Sequence, residues 1–287
     1  MTPADGAKYG AHIFLWIDAW SSRHIGLLER ARRLGLQSLE ISVGDDIEFD
    51  AALVRREAAA QQLDITISPG GVWPMRADVS LSDPEARAYG LQWHQHCIDQ
   101  AGEAGAVAYT GALYSHPGHV ERRLPNAEEF AVAAENLHIL AEYASRRGVE
   151  LVFEPMSRFR THLVNTPRQA LAMLAQADHP NLKVLFDTFH AVTEVRDFGA
   201  AVRDLAPYLW GLHACESDRG APGGGIVPWP AVFEALREVH FQRYIVLETY
   251  NTGLREFAYA RGLYQDVCPD GDEFVRKSLD FLFRFAL

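Results

Sequence analysis

The sequence predicts an α/β protein built as a single (β/α)8 TIM barrel. Strand-like apolar runs alternate with helix-like stretches along nearly the whole chain, which is typical of a parallel α/β fold. Eight such strand–helix pairs fit the chain, and its length of 287 residues is near the roughly 250 residues of such barrels. A doubly wound open sheet has similar local patterns and stays open as an alternative.

The strands are predicted from short apolar runs bounded by polar, glycine or proline residues. They are expected at residues 12–17, 38–43, 63–68, 106–113, 151–154, 184–187, 209–213 and 244–248. Residues 1–9 are then a short lead-in. Because no low-complexity linker interrupts the alternation, residues 1–287 are expected to form one barrel domain.

The helices are predicted from apolar residues at helical spacing and from residues typical of helix starts. Asp83-Pro84 and Thr166-Pro167 each combine a capping side chain with a first-turn proline. Asn126 is followed three residues later by an acid, which is another start signal. The helices are expected at residues 21–34, 50–62, 83–104, 126–147, 166–177, 198–205, 228–239 and 272–285.

Charge and cysteine content limit the classes of function. The chain has 27 Lys and Arg against 38 Asp and Glu, and this net charge of −11 opposes binding to nucleic acid or to an anionic membrane. Three widely spaced cysteines do not make a disulfide framework, so we expect a cytoplasmic protein. No apolar run approaches the roughly 20 residues of a membrane helix. The expected partner is a small molecule.

Four polar residues end the last four predicted strands: Glu154, Asp187, His213 and Glu248. In a parallel barrel the carboxyl ends of all strands open on one face, so these side chains can converge. Three carboxylates in one place repel each other unless a cation lies among them, and the pattern therefore predicts a divalent metal site. One imidazole among oxygen donors shifts the preference towards Mn²⁺, Co²⁺ or Zn²⁺. The alternative is four ordinary strand-end polar residues facing water.

Three connections that follow strands are long: residues 69–83, 114–125 and 249–270. Long loops in a compact domain are usually functional or disordered, and we expect these to form the walls and lid of a pocket. Trp16 is expected to add an apolar wall for the substrate, with a core position as the alternative. Glu40 is expected to point into the barrel mouth and hydrogen-bond there, because burying it alone is costly.

Four stretches of the sequence carry a likeness to a known family. They are Leu-Glu-Ile-Ser-Val-Gly at 39–44, Phe-Asp-Thr-Phe-His at 186–190, His-Ala-Cys-Glu-Ser-Asp-Arg at 213–219 and Pro-Gly-Gly-Gly-Ile-Val-Pro-Trp at 222–229. Together they resemble the xylose isomerase-like TIM barrel superfamily, and most closely the ketose 3-epimerase family, which acts on D-tagatose and D-allulose. The resemblance covers nearly the whole chain in order.

The resemblance implies a divalent-metal-dependent sugar isomerase or epimerase that acts through a metal-stabilised enediolate on a small keto sugar. The four strand-end residues would be the metal ligands, and Glu154 and Glu248 would also be the catalytic acid and base. His190, Arg219 and Glu216 would contact the substrate. The family implies one divalent ion, with Mn²⁺ first and Co²⁺ or Mg²⁺ as alternatives, and a homodimer or homotetramer.

Arg160 departs from the family pattern. Ketose 3-epimerases usually carry a glutamate six residues after the strand-five glutamate, whereas this chain has an arginine there. Arginine is suited to bidentate contact with a carboxylate or phosphate, so we hypothesise that Arg160 binds an acid group of a sugar-acid substrate. In the alternative, Arg160 turns outward and pairs with a loop carboxylate.

Arg160 also suggests an alternative function. A metal-dependent lyase or decarboxylase on an oxo sugar acid, or an enzyme that cleaves C-glycosides, would use the same enediolate chemistry. A DNA-repair nuclease of the same superfamily would need a basic groove, which the charge of −11 opposes. A barrel that only binds a sugar or a partner protein would not need two opposed carboxylates at a metal.

Overall fold

Eight parallel strands form a closed barrel, as the sequence predicts. In the computed structural model, which describes residues 6–285, the strands are β1 (Lys8–His12), β2 (Ser38–Ser42), β3 (Asp64–Ser68), β4 (Ala108–Gly111), β5 (Glu150–Phe153), β6 (Leu182–Asp187), β7 (Leu209–Ala214) and β8 (Tyr244–Leu247). Each strand pairs with the next, and β8 pairs with β1. This closure excludes the open-sheet alternative.

Helices connect the strands. Between residues 6 and 285 the α-helices are α1 (Gly26–Arg33), α2 (Ala51–Gln61), α3 (Pro84–Ala104), α4 (Ala127–Arg146), α5 (Pro167–Ala177), α6 (Thr188–Ala191), α7 (Phe198–Leu205), α8 (Trp229–Glu238), α9 (Arg255–Ala260) and α10 (Gly271–Leu282). Short 3-10 helices lie at Ile13–Leu15, Ser22–His24, Met75–Ala77 and Phe283–Phe285. Neither α6 nor α9 was predicted. None of the described helices combines the length and the apolar character that crossing a membrane requires.

The predicted helix starts are confirmed by their caps. The Asp83 side chain accepts a hydrogen bond from the backbone of Glu85 at the start of α3. Asn126 caps α4 in the same way, 2.8 Å from the nitrogen of the third helical residue. Thr166 and Gln169 form a reciprocal capping box at α5. These short-range signals are local, which is why they could be recognised in the sequence.

The first predicted strand was wrong in its position. The strand is Lys8–His12, and residues 13–15 form a buried 3-10 turn instead of continuing it. The cause is His12, whose imidazole accepts a hydrogen bond from the backbone nitrogen of Phe14 and turns the chain. Lys8 and Tyr9 thus belong to β1 and not to the expected lead-in, of which residues 1–5 lie outside the described part of the chain.

The barrel interior is apolar in one layer and polar in another. The apolar layer consists of Ala108, Val152, Leu185, Trp210, Tyr244 and Val246. The polar layer includes the last residues of the first three strands, His12, Ser42 and Ser68, whose side chains lie 3.1–3.4 Å from one another. The carboxyl end of the barrel is therefore its polar end.

The buried imidazole of His94 generates a prediction about acid stability. His94, in α3, has no exposed surface, and its Nδ1 lies 2.8 Å from the hydroxyl oxygen of Tyr109 in β4. Burial lowers the pKa of His94 to about 3, whereas an unfolded histidine has a pKa of about 6.5. Between these values only the unfolded chain takes up the proton. The free energy of unfolding should therefore fall as the pH decreases, by up to about 1.4 kcal/mol per pH unit.

Replacing His94 with Gln should make this decline shallower, because Gln cannot take up the proton. Urea unfolding of the metal-free protein across the same pH window measures the slope. His96→Gln is the matched control, since His96 is exposed on the same helix, and it should leave the slope as in the parent protein. If His94→Gln declined as steeply as the parent, the predicted role of His94 would be refuted.

Candidate metal centre and active-site cavity

The four expected metal ligands meet at the polar end of the barrel. They end or follow four consecutive strands, β5 to β8: Glu154, Asp187, His213 and Glu248. One ligating atom from each lies within 4.8 Å of those from the others. The strand register explains this convergence, because Asp187 pairs with His213 across β6 and β7, so that neighbouring strand ends are level.

His213 contacts the carboxylates on both sides of it. Its Nδ1 lies 3.5 Å from Glu154 Oε1 and 3.2 Å from Glu248 Oε2. Of the four side chains Glu248 is the most exposed, at 9%. The cluster is therefore almost fully removed from solvent.

Three buried atoms of the cluster have no hydrogen-bond partner within residues 6–285: Glu154 Oε1, Asp187 Oδ2 and His213 Nδ1. A buried polar atom without a partner is costly and uncommon in folded proteins. All three belong to expected ligands, and three oxygen donors with one nitrogen donor suit a divalent cation. The residues present therefore fit a single divalent metal ion.

Without an ion, the charges of the cluster perturb one another. Burial raises the pKa of Asp187 well above its usual range; Arg219 opposes this shift, and Glu154 and Glu248 add to it. Burial opposes a charged His213, but the surrounding carboxylates raise its pKa well above the usual value. The pKa of Glu248 lies well below its usual range, because the charges of Arg219 and His213 outweigh the effect of burial. A cation at this place would favour the unprotonated forms of Asp187 and His213, because these are the forms that bind metal.

Glu40 of β2 orients the imidazole of His213. Glu40 Oε2 lies 3.2 Å from His213 Nε2, and Oε1 accepts a hydrogen bond of 3.1 Å from the Thr110 hydroxyl. A carboxylate can only accept, so Nε2 carries the donated proton, and Nδ1 faces the cluster. As expected, Glu40 hydrogen-bonds inside the barrel.

A cavity of about 360 Å³ opens above the cluster and includes Glu248 in its wall. The connections after β5, β6, β7 and β8 form it. Its aromatic walls are Phe159, Phe189, Tyr250 and Tyr264. Of the three connections expected to form the pocket, only residues 249–270 line this cavity.

Two of the expected substrate contacts, His190 and Arg219, lie between the cluster and the cavity. His190 Nε2 is 3.7 Å from Asp187 Oδ2, and Arg219 Nη1 is 2.9 Å from the same oxygen. Arg219 also donates a hydrogen bond to Glu248 and lies over the ring of Phe189 at 4.2 Å. Both side chains are buried, so they can reach a substrate only from within the cavity.

Arg160 lines the cavity as well. Burial lowers the pKa of His190 well below its usual range, and the charges of Arg219 and Arg160 add to this effect. Both arginines line the same cavity as His190. Within residues 6–285, no carboxylate lies within 4.0 Å of the Arg160 guanidinium. The arginine that turns outward is Arg158, which is paired with Glu194 at 2.9 Å. The outward alternative for Arg160 is therefore not what the structure shows.

Trp16 and Glu216 are not among the residues that line the described cavity. The Trp16 indole donates a hydrogen bond of 2.8 Å to Asp272, because the chain turns before Trp16 and carries it towards α10. Glu216 accepts hydrogen bonds from the backbone of Gly223 and Val227 and from the Trp229 indole. Since both of its oxygens are used in this way, Glu216 shapes the glycine-rich connection and does not face the cavity as expected.

Arg261 is a cavity residue that the sequence reasoning missed. It follows α9, and its guanidinium donates a hydrogen bond of 2.8 Å to the carbonyl oxygen of Gly70. The ring centroids of Phe14 and Tyr250 lie 5.2 and 5.4 Å from it. The length of its connection predicted a pocket wall, but no local motif singled out this arginine.

Metal removal should weaken the fold. A bound ion would satisfy the three orphaned atoms, and at about 100 times the dissociation constant it would stabilise the protein by about 2.7 kcal/mol. We therefore expect Mn²⁺ to raise the unfolding temperature of chelator-treated protein, as measured by calorimetry. Asp187→Asn should reduce this response, whereas Asp204→Asn, an exposed change on α7, should preserve it. Equal responses in both variants would argue against the site.

Replacing Glu40 with Gln should weaken metal binding by about 10–100-fold, because partners of metal-bound histidines typically have effects of this size. Calorimetric titration with Mn²⁺ measures the affinity. Nitrogen NMR of His213 supplies a readout that a merely structural role would not change, since losing the Glu40 carboxylate should alter which ring nitrogen carries the proton. Unchanged affinity and an unchanged tautomer would show that Glu40 does not orient His213.

Comparisons with known proteins identify relatives of this chain. The family described as "Xylose isomerase-like TIM barrel" matches residues 28–283. A D-psicose 3-epimerase of Agrobacterium fabrum is 28% identical over 246 residues, 85% of each chain. An L-ribulose 3-epimerase of Methylomonas sp. is 26% identical over 282 residues, 96% of each chain.

A solved structure of an L-ribulose 3-epimerase has a TM-score of 0.90 and 26% identity, covering 98% of this chain and 94% of its own. The similarity extends over the whole barrel, including the four strand ends that carry the metal cluster. The chain belongs to the xylose isomerase-like TIM barrel family.

Proposed function

We propose that this protein is a divalent-metal-dependent sugar epimerase that inverts carbon 3 of a small ketose. The observation that carries the proposal is the pair Glu154 and Glu248, whose ligating oxygens lie within 4.8 Å of each other and of the other ligating atoms. Glu248 also lines the cavity. The D-psicose and L-ribulose 3-epimerases to which the chain is similar support the same reaction.

The two glutamates supply the proton transfers. A C–H bond next to a carbonyl is a weak acid, and one glutamate removes the proton from carbon 3 while the other returns a proton to the opposite face. A bound divalent ion would supply Lewis-acid stabilisation of the charge that develops on the substrate oxygens. Arg219 and His213 outweigh the effect of burial and keep the pKa of Glu248 low, so this carboxylate is ionised and can accept a proton.

His190 and Arg219 hold the sugar in place. Burial and Arg219 keep the pKa of His190 well below its usual range, so its imidazole is neutral and can bind a hydroxyl group. Arg219 is a permanent donor beside Glu248 and is suited to a carbonyl or hydroxyl oxygen.

Cleavage is not favoured over epimerisation. The D-psicose and L-ribulose 3-epimerases to which the chain is similar break and remake a C–H bond. We therefore do not retain the lyase or decarboxylase that Arg160 had suggested.

Further properties are part of the same proposal. We propose Mn²⁺ as the ion, since one imidazole among oxygen donors suits it, with Co²⁺ or Mg²⁺ as alternatives. Three buried free thiols are consistent with the reducing cytoplasm. The assembly as a homodimer or homotetramer, and the single domain from 1 to 287, rest on the family resemblance and the unbroken alternation of elements.

The proposal is tested by proton exchange in D₂O. Mn²⁺-loaded protein should introduce deuterium at carbon 3 of at least one member of a panel of neutral and anionic C5 and C6 ketoses, with NMR following both exchange and the epimer. Glu154→Gln and Glu248→Gln should each lower the rate by about 10²–10⁴-fold, the range for general acid–base catalysis.

Glu256→Gln is the control, because Glu256 is exposed on α9 and should leave the rate unchanged. Deuterium at carbon 1 alone would identify an aldose–ketose isomerase instead. No exchange with any ketose of the panel would refute the proposed reaction.

A further inference from the structure

We propose that the sugar carries an anionic group, a carboxylate or a phosphate, at the end remote from the metal, and that Arg160 and Arg261 bind this group. The inference rests on the proposed function and names the substrate class of the same cavity. It concerns two arginines that the proton-transfer chemistry does not use.

Neither Arg160 nor Arg261 has a carboxylate partner in the described part of the chain. Both line the cavity, and among residues 6–285 no Asp or Glu oxygen lies within 4.0 Å of either guanidinium. Arg219, in contrast, is paired with Asp187 and Glu248. The two free guanidinium groups are thus separate from the ion-paired arginine of the metal cluster.

The two arginines outnumber the acids that remain in the cavity wall. A divalent ion together with Arg219 would balance the three ligating carboxylates, and Glu40 lies deeper in the barrel, 3.2 Å from His213 Nε2. The other acid in the cavity wall is the exposed Asp218, whose Oδ1 accepts a hydrogen bond from the backbone of Gly220. The wall away from the cluster therefore carries two guanidinium groups against one carboxylate, an excess of positive charge that an anionic substrate would neutralise.

Arg261 is fixed in the cavity wall. Its guanidinium donates a hydrogen bond to the carbonyl oxygen of Gly70 and lies 5.4 Å from the ring centroid of Tyr250. Arg160 lines the same cavity, and among residues 6–285 neither guanidinium lies within 4.0 Å of a ligating carboxylate. We therefore assign the anion to the end of the sugar away from the metal.

The chemistry of the guanidinium group favours an anion over hydroxyl groups. Its planar fork of donors matches the two oxygens of a carboxylate or phosphate, and charge-assisted bonds of this kind are about twice as strong as neutral ones. A carboxylate at the far end is also separated from the carbonyl by several carbons. It therefore does not leave as CO₂ when carbon 3 loses its proton, and the reaction remains an epimerisation.

The test uses three ketoses that are identical at the reacting end: D-fructose, D-fructuronate with a carboxylate at carbon 6, and D-fructose 6-phosphate. For Mn²⁺-loaded protein we expect kcat/KM for deuterium exchange at carbon 3 to be about tenfold or more higher for an anionic sugar than for D-fructose, equivalent to about 1.4 kcal/mol. A preference for D-fructuronate identifies a carboxylate, and a preference for D-fructose 6-phosphate identifies a phosphate.

Arg160→Met and Arg261→Met should each remove this preference, measured as the ratio of kcat/KM for the anionic sugar to kcat/KM for D-fructose. Arg158→Met is the matched control: this arginine lies two positions from Arg160, is paired with Glu194 outside the cavity, and should keep the preference. Circular dichroism and Mn²⁺ titration show whether each variant is folded and loaded.

Binding provides a readout that does not depend on turnover. Calorimetric titration of the Mn²⁺-loaded protein should show tighter binding of an anionic sugar than of D-fructose, and Arg160→Met should abolish the difference. Equal affinity and equal kcat/KM for all three sugars would overturn the inference while leaving the epimerase intact. Absence of exchange together with selective anion binding would overturn the proposed reaction and leave the anion site intact.

Discussion

The mutual repulsion of three carboxylates buried at one end of a closed barrel is the constraint on which the site depends. Glu154, Asp187 and Glu248 are held there by strand ends that cannot move apart without opening the barrel. Burying charge is tolerated only when opposite charge and hydrogen bonds accompany it. Arg219, the oriented imidazole of His213 and a divalent cation would together meet this requirement, and the buried atoms without hydrogen-bond partners are the ones that we propose as its ligands.

The strand ends and the connections of the barrel supply different parts of the site. The strand ends carry the metal cluster, and parallel pairing sets their level, as in the register of Asp187 with His213. The connections supply Arg160, Arg219 and Arg261, which line the cavity. Because the connections are not part of the sheet, an arginine can replace a glutamate after β5 without disturbing the metal ligands. The same scaffold can in this way keep its chemistry and change its substrate.

The sequence predicted the elements that depend on local signals. Helix caps such as Thr166 and Asn126 act over three residues, and the polar residues after apolar runs lie at strand ends. The first strand was misplaced because an apolar run of consecutive buried residues suits a 3-10 turn as well as a strand, and the His12 side chain selects the turn. The expectations for Trp16 and Glu216 differ from the structure for a related reason: the partners that hold them, Asp272 and Trp229, could not be identified from spacing alone.

The sequence by itself determined the alternation of strands and helices, the four polar residues at the ends of strands β5 to β8, and the arginine at position 160, since each depends on residue type and order. Only the tertiary structure decided which of two nearby arginines faces the cavity: Arg158 is held outside by Glu194, 36 positions further on, and Arg160 is left inside. It also brought Arg261 to the same cavity. Such placements depend on contacts between distant segments, and these exist only once the barrel has closed.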